Sequence, residues 1–155
     1  MQPHEIKPDT KLCTILGYNA QTGHMRRYFN KIMKHYAINA TAIALNITDE
    51  HFDFTMKSVA NSKVDKMMIE QEYAKSSIKY CDWLNSKAEV NGSVDFIEVD
   101  GGKLYGYCLD GEVEEMFGDM SFIDEQTRFV AKVILIAHRW YGIPIEIDTI
   151  PILIV

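Results

Sequence analysis

Asp110 is the residue of this sequence that is best placed to do chemistry. It follows two short apolar runs, 94–99 and 103–109, which are separated by an Asp-Gly-Gly segment at 100–102. These turn residues tolerate positive φ angles, so the two runs predict a β-hairpin that delivers Asp110 to the loop behind it. A carboxylate in such a loop can accept a proton or bind a ligand, whereas Asp-Gly after a strand is also typical of an ordinary turn.

The rest of the sequence contains no motif with a recognised chemistry. The nine glycines give no G-x-G-x-x-G fingerprint after a strand, and the five histidines have no metal-ligand spacing. Cys13, Cys81 and Cys108 are far apart, and each lies among apolar residues, which is typical of small buried side chains. We therefore expect no cofactor-binding residues and no metal site in this sequence.

Alternating strand and helix signals indicate the elements that position Asp110. Apolar runs predict strands at 11–17, 40–47 and 64–69, and helical spacing of apolar residues predicts helices at 25–36, 48–59, 70–85 and 121–141. With the hairpin, they predict a single α/β domain over residues 1–155, built on an open, mixed and mostly parallel sheet flanked by helices. Ligands of such sheets bind beyond the carboxyl ends of the strands, so the loops at 17–24, 69–75 and 109–112 are the expected site.

Composition and charge limit the class of protein. The 155 residues are 47% hydrophobic and 25% charged, as in an ordinary globular domain, and the net charge is -6. This acidic balance argues against a surface that binds nucleic acid or an anionic membrane. The longest apolar run, near residues 130–137, is too short to span a bilayer and contains Lys132. The first nine residues have no apolar segment typical of a signal peptide, so we expect a cytoplasmic location.

Several segments, in order along the chain, resemble the shikimate dehydrogenase family. The hairpin segment SVDFIEVDGGKLYGYCLDG at 93–111 resembles the AVNTVV…DGKLVGYNTDG segment at the end of that family's substrate-binding domain. Residues 15–17, 67–82 and 122–144 are individually weaker matches to the family's opening strand, its NVT-containing segment and its closing helix. The resemblance implies the fold of the substrate-binding domain, with residues 121–155 as a closing helix and an apolar tail. It also implies that the family's NADP-binding domain is missing between Gly111 and Ser121.

The same resemblance places two catalytic positions on this chain. The family's catalytic Asp falls on Asp110, and its catalytic Lys falls on Ala74 in an ungapped match, with Lys75 next to it. One residue along a helix is a rotation of about 100°, which would aim Lys75 away from Asp110. A one-residue slip of the match would restore Lys75, and both alternatives stay open from the sequence.

Substrate-contacting positions of the family fall on Gly23, Met25, Glu70, Asp95 and Gln126. Neither Gly23 nor Met25 can replace the two serine hydroxyls that bind the substrate carboxylate in the family. The expected site instead contains the carboxylates of Glu70, Asp95 and Asp110, which should repel an anion such as shikimate. The resemblance therefore implies either a neutral or cationic ligand or a vestigial site.

Three hypotheses for function follow from these observations. The first is binding of a small molecule of unknown identity, without redox activity of its own. The second is catalysis, either as half of a split dehydrogenase with a nucleotide-binding partner protein or as a hydrolase or isomerase that uses Asp110. The third is an interaction or structural role, such as a homodimer, in which the tail 145–155 covers an exposed surface or adds as an edge strand. We rank the first above the third, and both above autonomous catalysis.

Overall fold

The computed structural model describes residues 7–117 and 124–145. Its six strands are β1 Lys11–Gly17, β2 Ala40–Asn46, β3 Val64–Ile69, β4 Trp83–Leu84, β5 Phe96–Asp100 and β6 Lys103–Tyr107. Its helices are α1 Met25–His35, α2 Asp49–Ser58, α3 Ser86–Asn91, α4 Leu109–Phe117 and α5 Glu125–Tyr141.

The strands form one mixed sheet in the order β2-β1-β3-β5-β6-β4. β1 runs parallel to β2 and β3, and β4 runs parallel to β6, whereas β5 is antiparallel to β3 and β6. The turn between β5 and β6 has φ angles of +59° at Gly101 and +77° at Gly102, which favour glycine. The open mixed sheet and the hairpin predicted from the sequence are confirmed.

Helices pack on both faces of the sheet and create two cores. Successive side chains of a strand point to opposite faces, so Ile15 and Leu16 of β1 belong to different cores. Ile15 packs in the core formed with α1 and α5, and Leu16 in the core formed with α2. Both side chains are fully buried. Among the residues described, no helix is both long and apolar enough to cross a membrane.

Helix α5 carries a charged side chain into the first core. Asp124 caps its first turn by accepting a hydrogen bond from the backbone N–H of Thr127 at 2.7 Å, and Gly142 ends it with a φ of +70°. Between these ends, every residue from 130 to 137 is buried. Lys132 is in the middle of this apolar stretch, so it must find charged partners inside the protein.

The prediction of a helix over residues 70–85 is wrong. This segment instead forms single 3-10 turns at Gln71–Tyr73 and Ile78–Tyr80, followed by β4. Hydrogen bonds to β6 replace helical ones. The backbone N–H of Asp82 donates to the carbonyl of Leu104 at 2.8 Å, and the carboxylate of Asp82 accepts the N–H of Leu104 at 2.8 Å. Asn85 then caps α3 by accepting the N–H of Ala88 at 2.9 Å. Tertiary pairing thus overrides a local helical pattern.

Residues 112–115, which lie outside every predicted helix, belong to helix α4. The closing helix begins at Glu125 in the described residues, and positions 121–123 of its predicted start lie outside them. The predicted apolar tail also lies outside them, apart from residue 145.

The outer edge of β2 is occupied by a side chain from α1. The amide oxygen of Asn30 accepts the backbone N–H of Ala42 at 2.7 Å, and its amide nitrogen donates to the carbonyl of Ala42 at 3.3 Å. Asn30 therefore takes the place that a neighbouring strand would take at the middle of this edge.

Candidate functional site

A buried lysine between two aspartates forms the floor of a cleft at one end of the sheet. The Nζ of Lys132 lies 2.8 Å from Oδ1 of Asp110 and 3.3 Å from Oδ2 of Asp95. Lys132 is only 6% exposed, whereas the side chain of Asp110 is 65% exposed. The group thus presents one accessible carboxylate beside a largely buried ammonium.

Asp95 positions both other members of this group. It directly precedes β5, where its backbone N–H donates to Tyr107 and its carbonyl accepts from Ile69, so both neighbouring strands hold it in place. Its carboxylate accepts the N–H of Leu109 at 2.8 Å and that of Asp110 at 2.9 Å. These are the first two residues of α4, whose N–H groups have no partner within the helix. Asp95 therefore caps α4 and holds Lys132 with the same carboxylate.

Burial and charge determine the protonation of the group. Burial alone lowers the pKa of Lys132, but the carboxylates of Asp95 and Asp110 outweigh it and raise this pKa, so the ammonium stays charged. For Asp110, burial raises the pKa, but the charge and hydrogen bond of Lys132 outweigh it and the pKa is lowered. Burial is the main influence on Asp95 and raises its pKa against the opposing effect of Lys132. Asp110 is thus an ionised acceptor beside a protonated donor.

The cleft above this floor has a volume of about 600 Å³. Its walls come from the segment after β3, from α4 and from the first turns of α5. The lining residues that bear on its chemistry are Glu70, Glu72, Lys75, Asp95, Asp110, Glu114, Glu125, Arg128, Phe129 and Lys132. Six carboxylates and three basic side chains thus face the same space. Within the described residues, no group of three or more His, Cys, Asp or Glu side chains has a geometry that could hold a metal ion.

The structure brings most of the predicted site residues together. Met25, Glu70, Lys75, Asp95 and Asp110 all line the cleft. Gly23 lies beside it, since a Cβ built on Gly23 would be 3.8 Å from Oε1 of Glu70. Gln126 is exposed on the first turn of α5 and is not among the lining residues.

The lysine that pairs with Asp110 was not predicted from the sequence. Lys75 reaches the cleft but is exposed, and it forms no ion pair with Asp110, which is bonded to Lys132. The signal that pointed to Lys132 was available, because a lysine in the buried stripe of an amphipathic helix is almost always paired. Which carboxylates pair with it depends on how α5 packs against the sheet, and no local pattern reveals that.

Comparisons with known proteins agree with this architecture. No family model matches the chain. A shikimate dehydrogenase (NADP(+)) of Methanococcus maripaludis is 23% identical over 106 residues, which are 68% of this chain and 38% of the relative. Another, from Methanopyrus kandleri, is 20% identical over 124 residues, 80% of this chain and 41% of the relative. The crystal structure of shikimate dehydrogenase from Aquifex aeolicus superposes with a TM-score of 0.68 at 19% identity, covering 84% of this chain and 53% of that one. The chain has the fold of about half of a shikimate dehydrogenase.

This fold carries more than one activity, and the chain spans only about half the length of the proteins that share it. A 5-ketofructose reductase of Gluconobacter, 11% identical, also matches with a TM-score of 0.66 over 83% of this chain and 51% of its own. Likeness at this level of identity establishes the architecture alone. For a chain with half of the shikimate dehydrogenase fold, function has to be argued from the cleft.

Proposed function

We propose that the protein binds a small hydroxylated molecule in the cleft above Lys132 and Asp110. The observation that carries the proposal is the 2.8 Å pair of a protonated Lys132 and an ionised, accessible Asp110 at the floor of a 600 Å³ cleft. A hydroxyl group is both donor and acceptor, so one hydroxyl can donate to Asp110 while it accepts from Lys132. Charged partners make such hydrogen bonds stronger than neutral ones.

We propose that this binding occurs without redox activity of the chain itself. The relatives with this fold are named as NADP(+) enzymes, and the chain covers 38–41% of the two sequence relatives given above. No dinucleotide-binding glycine fingerprint follows a strand in this sequence. A protonated Lys132 is also better suited to hold a hydroxyl group than to remove its proton, which supports a binding role.

Titration calorimetry with methyl shikimate, a neutral ring with three hydroxyl groups, tests this proposal. We expect saturable binding that Asp110→Asn weakens about tenfold, because a hydrogen bond to a charged acceptor is lost. Asp100→Asn, an exposed carboxylate in the hairpin turn, is the matched control and should leave the affinity unchanged. Binding that is identical in wild type and Asp110→Asn would contradict the proposed site.

A second candidate function is half of a split dehydrogenase. It is favoured by the same Lys132–Asp110 pair, because oxidation of an alcohol moves hydride from the carbon to NADP⁺ while the hydroxyl group loses its proton, and the ionised Asp110 is placed to accept that proton. Methyl shikimate and NADP⁺ incubated with the chain, with and without a separate nucleotide-binding protein, separate the two. Reduction of NADP⁺ only when that protein is present would support the split enzyme, whereas tight binding of NADPH to the chain alone would contradict the proposal of a chain without redox activity.

A further inference from the structure

The mouth of the cleft is surrounded by carboxylates from three separate elements. Glu70 and Glu72 follow β3, Glu114 is on α4, and Glu125 begins α5. Of the three basic residues of the lining, Lys132 bonds to Asp95 and Asp110, the charge of Arg128 acts on Asp110, and Lys75 is exposed. The described ion pairs leave Glu70 and Glu125 without a basic partner.

The position of the two carboxylates after β3 depends on a glycine. A Cβ on Gly17 would lie 2.8 Å from Cβ of Glu70 and 2.9 Å from Oε2 of Glu72, so any side chain there would force them apart. Oε2 of Glu72 also accepts the backbone N–H of Tyr18 at 2.7 Å. Glu72 is thus fixed by the backbone, and Glu70 packs next to it over the end of β1.

These carboxylates repel one another in the absence of a cation. Burial raises the pKa of Glu70 most, and the charges of Glu72 and Glu125 raise it further, against the opposing effect of Lys132. The charges of carboxylates on both walls of the cleft thus act on Glu70. A positive charge placed between the walls would remove this repulsion and gain attraction to three carboxylates at once.

We propose that the ligand of this cleft carries a positively charged nitrogen that binds between Glu70, Glu72 and Glu125 while a hydroxyl group contacts Lys132 and Asp110. The inference rests on the proposed binding function and specifies the class of ligand as a hydroxylated amine. An anion at the same position would face the uncompensated carboxylates, whereas a neutral ring gains only the contacts at the floor.

Three probes with the same hydroxylated ring test the charge. They are shikimate, its methyl ester, and the analogue in which an aminomethyl group replaces the carboxylate, each titrated by calorimetry at low and at physiological salt. We expect the aminomethyl analogue to bind about tenfold tighter than the ester, with shikimate the weakest of the three. Raising the salt concentration should reduce the difference between the cation and the ester.

Two variants locate the cation. Glu70→Gln should weaken the aminomethyl analogue about tenfold and leave the methyl ester unchanged, because only a charge is removed. Glu50→Gln on α2, an exposed glutamate outside the cleft, should change neither affinity. Thermal unfolding of both variants establishes that they are folded before they are titrated.

The possible outcomes separate this inference from the function on which it rests. Equal affinities for the ester and the aminomethyl analogue, or tighter binding of shikimate, overturn the charge of the ligand but leave the binding function intact. The same conclusion follows if Glu70→Gln weakens the ester and the cation alike. Absence of binding by all three probes overturns the binding of hydroxylated rings and the charge inference together.

Discussion

One carboxylate oxygen of Asp95 lies 2.9 Å from the backbone nitrogen of Asp110 and 3.3 Å from the Nζ of Lys132. The same atom therefore fixes the start of α4 and the end of the lysine side chain from α5. The geometry of the Lys132–Asp110 pair is determined by a residue that is itself buried, so Asp95 acts chiefly by orientation. Loss of Asp95 should therefore lower the free energy of unfolding.

Asp95→Ala should destabilise the protein strongly. The change leaves Lys132 with one partner and two backbone N–H groups of α4 without acceptors, which costs about 3–5 kcal/mol in the free energy of unfolding. Urea denaturation followed by circular dichroism measures it. Asp9→Ala, an exposed carboxylate, is the control and should change this free energy by less than about 0.5 kcal/mol. Equal effects of the two variants would mean that the group at the floor does not contribute to stability.

The contribution of Asp110 to stability should decrease as the solution becomes acidic. Its pKa is lowered in the folded protein, so its ionised form stabilises the fold above the unfolded value, which is about 3.9. This stabilisation is lost as the pH falls below 3.9 and through the folded pKa. The difference in unfolding free energy between wild type and Asp110→Asn should therefore be constant from pH 7 to 5 and decrease in acid. An increase in this difference below pH 4 would contradict the pairing with Lys132.

Two of the cysteines should be unreactive in the folded protein. Burial is the main cause that raises the pKa of Cys13 to about 12 and that of Cys81 to about 12, so the reactive thiolate is scarce at pH 8. Labelling with iodoacetamide at pH 8, followed by mass spectrometry of the peptides, should leave both thiols unmodified until denaturant is added. Rapid labelling of Cys13 in the native state would show that its strand opens locally.

Substitution of two glycines by alanine should have opposite effects on stability. A Cβ on Gly106 would lie 2.7 Å from Sγ of Cys81 and 2.9 Å from Cδ2 of Leu84, so Gly106→Ala should cost about 1–3 kcal/mol through overpacking. Gly111 is within α4, and a Cβ there would lie 3.3 Å from the flexible side chain of Lys87 and 3.6 Å from Nδ2 of Asn91, which is ordinary contact. Gly111→Ala should stabilise by about 0.5–1 kcal/mol, because alanine is the better helix former. Thermal melts of the two variants compare them directly.

Sequence patterns predicted the strands of this fold better than its helices. Short apolar runs bounded by turn residues located β1, β2 and β3 to within a residue, and the hairpin turn was evident from Gly101 and Gly102. The helix predicted over 70–85 failed because Asp82 and Asn85 bond to β6, which is distant in sequence. Helix α4 was missed for a related reason, since its cap is Asp95, fifteen residues before Asp110.

The site was predictable in part because the ends of neighbouring strands lie close together in a sheet. Residues near the ends of β1, β3 and β6 were expected to converge, and five of the seven predicted residues line the cleft. The lysine at its floor, Lys132, comes from α5. Only three-dimensional packing determines that Lys132, and not Lys75, pairs with Asp110.

The bonds of Asn30 to Ala42 restrict how copies of this protein can meet. A strand arriving alongside β2 would find the central donor and acceptor of that edge already in use, and it would have to displace the amide of Asn30 to pair in register. Edge-to-edge pairing of sheets from two molecules is therefore disfavoured at this edge. A dimer that uses this side of the molecule would have to be held by side chains such as Ile43 and Leu45, both 37% exposed, and not by a shared sheet.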